Sequence, residues 1–383
     1  MLLPLYFLLF TAVASAKDAP DPHKAADIEF QNTVQRFMRQ HDVPGIAIAI
    51  TVKGADHYYT FGVGSKKTRA RVTPDTLFEI GSISKTFTAT LATYAQVNRH
   101  LSLTDTPGRY LPEIKGHDLD KATLINLGTH TAGGFPLQVP AAIGGERQLM
   151  TYLQQWKPQY PIGARRTYAN PNIGVLGMAT ARAMRMPFHK AMEGVLLPRL
   201  GLSHTYLVVP PAKMPLYAQG YDAKNVPVRM TPGMLWEPTY GIKTSARDLL
   251  RYVEINLDLV RVQPGLARAI DDTHIGYYRL GEMTQNLVWE QLPYPVSLDS
   301  LLASNSAEVV FESNAVRALT PPLPQQRNVL VYKTGATRGF GAYVAFNPSN
   351  GIGVVVLLNR SVPMETRLQL AHSVLNTAAR LSR

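Results

Sequence analysis

Two β-patterned stretches lie at opposite ends of this chain with a long helical tract between them, and no other feature constrains the fold as much. Near the start, Ile46, Ile48, Ile50 and Val52 alternate on one face of a strand. Lys53-Gly54 supplies a turn, and His57 to Val63 returns as the hairpin partner. Near the end, Phe340 to Phe346, a turn at Pro348-Ser349-Asn350-Gly351, and Ile352 to Leu358 repeat the pattern. Strands so far apart most economically share one antiparallel sheet. A first helix carrying Phe30, Val34, Phe37 and Met38 ends near Val43-Pro44-Gly45, and a last one runs from Glu365 to Leu381. The class expected is α/β of the α+β type, an antiparallel sheet flanked by helices. From about 97 to 221 strand signals thin out. Helical periods at Ala122 to Leu127, Gln148 to Trp156 and Ile173 to Met184 are punctuated by Pro107, Pro112, Pro158 and Pro161. This predicts an α/β domain from 17–96 plus 222–383, a mainly helical domain over 97–221, and a site in the cleft between them.

A chain of 383 residues, 45% hydrophobic and 17% charged, can build cores for such a plan and is not of disordered composition. Its start is different. The apolar block Leu2 to Phe10 followed by Ala14-Ser15-Ala16 reads as a secretory signal peptide over 1–16, cleaved after about Ala16, and Lys17 to Pro22 breaks any helix there. There are no cysteines, which excludes thiol nucleophiles, thiolate metal sites and disulfides. The formal charge of +12 is scattered, its densest cluster being Lys66-Lys67-Thr68-Arg69-Ala70-Arg71. No nucleic-acid motif accompanies it, so the charge reads as solvated surface, with no nucleic-acid partner and no membrane partner once the signal is removed.

Three short motifs carry chemistry. Ser82-Ile83-Ser84-Lys85 stands where a loop turns into an apolar helix, and residues three apart on a helix share a face. Lys85 can therefore sit beside the Ser82 hydroxyl, and a desolvated lysine can activate a serine. Alone, the pattern is weak. Tyr168-Ala169-Asn170 lies in a loop before a helix, where a tyrosine between two ammonium groups can relay protons. Lys333-Thr334-Gly335 lies on a strand, where the lysine can hold an anionic group and the glycine admits a substrate. The N–H groups of Ser82 and Ala336 could pair as an oxyanion hole. Together and in order, the three motifs are far more specific than any one of them.

With those motifs the chain resembles a class C serine β-lactamase, a cephalosporinase among the penicillin-recognising serine hydrolases. The resemblance extends through Phe78-Glu79-Ile80-Gly81, Thr129 to Gly134, Leu137-Gln138-Val139-Pro140, Tyr240 to Thr244 and Gly339 to Tyr343. It implies an α/β domain plus a helical one, a periplasmic monomer, and neither metal nor cofactor. Carried over, Ser82 is the acylated nucleophile, Lys85 its activator and Tyr168 the proton relay, with Lys333 supporting Tyr168 and the substrate carboxylate. Gln138 and Asn170 would meet the acylamide of a β-lactam, Tyr240 would wall its side-chain pocket, and Thr334, Gly335 and Ala336 would bind along the strand. Two departures stand out. Ala141 to Glu146 replaces a usually acidic segment, putting the shape of the entrance in question. Met364 stands where an asparagine is common, shifting carboxylate recognition toward Lys333, Thr334 or Arg367. No Glu-x-x-Leu-Asn occurs, so glutamate-driven deacylation is not expected. A D-Ala-D-Ala carboxypeptidase or an esterase would use the same serine, lysine and tyrosine, and an exported binding protein would use the same cleft without turnover.

Overall fold

The computed structural model describes residues 22–382, and the expected signal peptide falls outside the described residues. Seven helices of ten residues or more are present among the described residues: α1 (Pro22–Gln40), α2 (Ser84–Val97), α3 (Glu146–Gln155), α4 (Asn170–Ala183), α5 (Ala246–Asn256), α6 (Pro264–Thr273) and α7 (Met364–Leu381). The main sheet has nine strands: β1 (Gly45–Val52), β2 (Ala55–Gly62), β3 (Gly276–Leu280), β4 (Met283–Asn286), β5 (Glu290–Pro293), β6 (Arg317–Leu323), β7 (Val329–Thr337), β8 (Phe340–Asn347) and β9 (Ile352–Leu358). Their order is β6-β3-β4-β5-β7-β8-β9-β1-β2, antiparallel throughout. The first and last β-patterned stretches do share this sheet, with β1 paired to β9 so that Ile48 lies opposite Val356.

All eight residues of β1 are buried, because helices cover both faces. Ile46, Ile48, Ile50 and Val52 point into one core with Phe30 and Val34 of α1 and Leu368 and Val374 of α7. Ala47 and Ala49 point into the other, with Phe87 and Leu91 of α2 and Leu250 and Val253 of α5. The small side chains on that second face let α5 lie close against the sheet. At Gly353 of β9 a Cβ would meet the Val253 side chain at 2.4 Å, so even a methyl is too much there.

From Pro107 to Leu216 the chain consists of helices and 3₁₀ turns, with strands no longer than Arg165–Thr167 and Thr205–Tyr206. The predicted helical periods correspond to Leu124–Gly128, α3 and α4. Leu124–Gly128 starts on a capping box in which Thr123 and Asn126 satisfy each other's backbone N–H groups. Strands β3 to β6, by contrast, carry no alternation that announces them. β4 reads Met283-Thr284-Gln285-Asn286, wholly buried yet mostly polar, because its side chains hydrogen-bond inside the molecule instead of packing as hydrocarbon.

Candidate active site

Ser82 sits in a single 3₁₀ turn, Gly81–Ile83, that runs directly into α2. Two glycines press this turn against β7. Gly81 has φ +50°, and a Cβ on it would lie 2.3 Å from the Ala336 carbonyl oxygen. A Cβ on Gly335 would lie 2.0 Å from the Ile80 carbonyl oxygen. Only glycine tolerates this approach, and its effect is to set Ser82 beside Ala336.

One turn into α2, Lys85 is fully buried behind the serine. Its Nζ donates to Ser82 Oγ at 2.9 Å and to the Thr239 carbonyl at 2.9 Å, the second acceptor supplied by the short helix Trp236–Tyr240. Neither acceptor carries a charge. Burial therefore pushes the Lys85 ammonium below its ordinary pKa; the Tyr168 oxygen opposes this and the Lys333 charge adds to it.

Tyr168 lies among three cations. Lys85 Nζ, Lys333 Nζ and the Arg166 guanidinium are 5.3, 5.1 and 5.5 Å from its ring centroid. Removal from bulk water pushes the phenol up, but Lys85, Lys333 and a hydrogen bond with Ser82 outweigh it, and the net shift is downward. Below the ring lies His130, 4.5 Å between centroids. Burial and the three neighbouring cations drive its imidazole well below its ordinary pKa, so it is neutral. Its Nδ1 accepts the Ala169 N–H at 3.3 Å, which places the proton on Nε2.

Lys333, on β7, donates to Glu290 Oε1 of β5 at 3.2 Å, and Arg166 Nη2 donates to the same oxygen at 2.8 Å. Arg166 Nε also donates to Gln285 at 2.6 Å. Arg166, Glu290 and Lys333 are all buried. Glu290, Arg166 and His130 escaped the sequence reading. The signal for two of them was at hand, in an arginine two residues before Tyr168 and a histidine inside a stretch quoted only for resemblance.

A cavity of about 700 Å³ opens over Ser82. Of the residues expected from sequence, Ser82, Gln138, Tyr168, Asn170, Tyr240, Lys333, Thr334, Gly335 and Ala336 line it, while Lys85 lies behind the wall. Asn170 Nδ2 donates to Gln138 Oε1 at 2.8 Å, and Asn170 Oδ1 is buried without a partner among the described residues. Met364 and Arg367 also face the cavity, with Arg367 donating to the Met364 sulfur at 3.0 Å and to the Gly335 carbonyl at 2.9 Å. Burial lowers the Arg367 guanidinium to about 10, which leaves it charged at neutral pH. None of Ala141 to Glu146 is on the cavity wall.

The beta-lactamase family model matches residues 30–379. The chain belongs to the beta-lactamase family. It is 66% identical over 382 residues to a beta-lactamase from Lysobacter lactamgenus, covering 100% of this chain and 99% of that one. A class C beta-lactamase solved in complex with cefoxitin superimposes with TM-score 0.89 at 41% identity, covering 93% of this chain and 99% of the other. A D-alanine carboxypeptidase from Burkholderia cenocepacia superimposes with TM-score 0.88 at 45% identity, over 92% and 99% of the two chains. The class C serine β-lactamase resemblance and the mixed fold expected with it are thereby borne out. No helix among the described residues is long and apolar enough to cross a membrane.

Proposed function

We propose that this family member hydrolyses the amide bond of cephalosporins and penicillins through an acyl-enzyme on Ser82, acting as an exported, periplasmic enzyme of β-lactam resistance. The helical segment 97–221 and the sheet-bearing segments 17–96 and 222–383 form the two domains that bound its cleft. The observation that carries the reading is the 2.9 Å contact between Ser82 Oγ and a buried lysine that forms no ion pair with a carboxylate among the described residues.

Lys85 and Tyr168 are both pushed toward losing a proton, which suits them to take one from the serine. As Ser82 Oγ attacks the lactam carbonyl, its proton passes to this pair. The carbonyl oxygen becomes an oxyanion facing the N–H groups of Ser82 and Ala336. The C–N bond then breaks, Tyr168 returns the proton to the leaving nitrogen, and the acyl-enzyme remains. A water molecule, deprotonated through Tyr168, attacks the ester and releases Ser82. Asn170 and Gln138 hold the acylamide, Tyr240 flanks the side chain, and Lys333, Thr334 and Arg367 hold the carboxylate beside Met364. Intact-mass spectrometry with cefoxitin is expected to show one adduct on the mature enzyme and none on Ser82→Ala. An absent adduct together with no nitrocefin turnover would end this reading. The carboxypeptidase likeness supports a second reading, D-Ala-D-Ala cleavage by the same site, and faster turnover of such a peptide than of nitrocefin would establish it.

A further inference from the structure

The cavity carries positive charge at two places along the second half of β7. Lys333 stands midway along the strand, and Arg367 donates to the carbonyl of Gly335 two residues further on. At the other place are Arg229 and Arg338, which line the same cavity with Val228, Met230 and Thr337. The four residue steps from Lys333 to Thr337 span about 13 Å in an extended strand. Arg229 is placed at the far end by a chain of contacts. Its guanidinium stacks 4.0 Å over Tyr217, the Tyr217 hydroxyl donates to Glu79 Oε1 at 2.6 Å, and Thr337 donates to Glu79 Oε2 at 2.5 Å.

The two arginines differ in what they already hold. Arg338 is exposed and pairs with Asp222 at 3.2 Å. Arg229 makes no ion pair within 4.0 Å among the described residues: Nη2 donates to the Tyr217 carbonyl at 2.9 Å, and Nε is buried without a partner. The nearby Glu79 is occupied by Tyr217, Met230 N–H and Thr337, so its oxygens are turned to those donors and not to Arg229. A guanidinium on the cavity wall with no counter-ion among the described residues is suited to receive an anion.

We infer that Arg229, helped by Arg338, selects β-lactams whose acylamide side chain ends in an anionic group, so that the preferred substrates are dianions spanning the second half of β7. The nucleus carboxylate lies at the Lys333 end, the lactam carbonyl at Ser82 beside Ala336, and the side-chain carboxylate at Arg229. This rests on the β-lactam reading above, and the matched substrates below separate the two.

The test compares 7-glutarylamido-cephalosporanic acid with its side-chain primary amide, which differ in one charge only. The wild-type enzyme is expected to favour the acid in kcat/KM by about tenfold at low salt. Raising NaCl from about 20 to about 500 mM shrinks that ratio by screening the charge. Arg229→Gln with Arg338→Gln brings the ratio to within about twofold of one, and Arg229→Lys retains part of it. Should the double variant fail to fold, the salt series on the wild-type enzyme and exposed Arg338→Gln still report. Equal wild-type turnover of acid and amide overturns this inference and leaves the β-lactam reading standing. Turnover of neither overturns the β-lactam reading itself.

Discussion

The two lysines that flank Tyr168 are almost equally buried and equally close to its ring, yet they are held in opposite ways. Among the described residues Lys85 has only neutral acceptors, Ser82 Oγ and the Thr239 carbonyl. Lys333 has a carboxylate, Glu290, which it shares with Arg166. Buried charge without a counter-ion is costly and tends to shed its proton, whereas a paired one is anchored as a charge. On the proposed mechanism the difference separates the roles: Lys85 would exchange a proton with the serine, and Lys333, paired with Glu290, would face Tyr168 and the anionic group of the substrate. One tyrosine between two such lysines feels both.

Removing Lys85 breaks the comparison most directly. In Lys85→Met the serine loses its activator, and acylation by nitrocefin is expected to fall by about 10³-fold or more, measured as kcat/KM or as the single-turnover acylation rate. Stability should move the other way. An ammonium with no counter-ion is replaced by hydrocarbon of similar length, so the denaturation midpoint stays level or rises. A loss of more than about 1 kcal/mol would show that Lys85 is a structural charge after all.

On the paired side the expected order is reversed. Glu290→Gln leaves Arg166 and Lys333 as two buried cations with no anion between them, a loss of about 3 kcal/mol, read as a lower urea midpoint at unchanged slope. Glu290 also raises the Tyr168 phenol, so its neutralisation moves Tyr168 further down and shifts the acid limb of kcat/KM, set by Tyr168 as base, to lower pH. If Glu290→Gln matched wild type in midpoint and in pH profile, the anchoring role of the pair would be wrong.

How visible was this in the sequence? Ser82, Lys85, Tyr168 and Lys333 could be found because each belongs to a short motif whose spacing carries its own geometry. The end strands could be found because Ile46, Ile48 and Ile50 alternate. Glu290 could not, since its meaning lies in partners 43 and 124 residues away. β4 escaped for the same reason: Gln285 is buried to bind Arg166, and a polar strand has no hydrophobic period to detect. His130 was in view but unread, because only its burial and the cations packed around it show that it must be neutral.

The same contrast recurs among carboxylates, with a smaller effect. Glu290 has two cations, while Glu254 of α5 accepts from Thr51 at 3.1 Å and has Asp56 of β2 as its charged neighbour, with only a weaker opposing influence from Arg251. Burial first, and then Asp56, raise Glu254 to about 7. A carboxyl raised in the folded state binds a proton more tightly there than in the unfolded chain. Its contribution is thus complete near its unfolded value and is lost as pH climbs toward 7. The wild-type midpoint should therefore fall between about pH 5 and pH 8 more than that of Glu254→Gln, whose neutral amide keeps the Thr51 hydrogen bond without the charge. The variant should be the more stable of the two at pH 8 and no better at pH 5. Since Glu254 does not line the cavity over Ser82, nitrocefin turnover at pH 7 should follow the folded fraction alone, and parallel midpoints across that range would show that the Glu254 carboxyl is not raised.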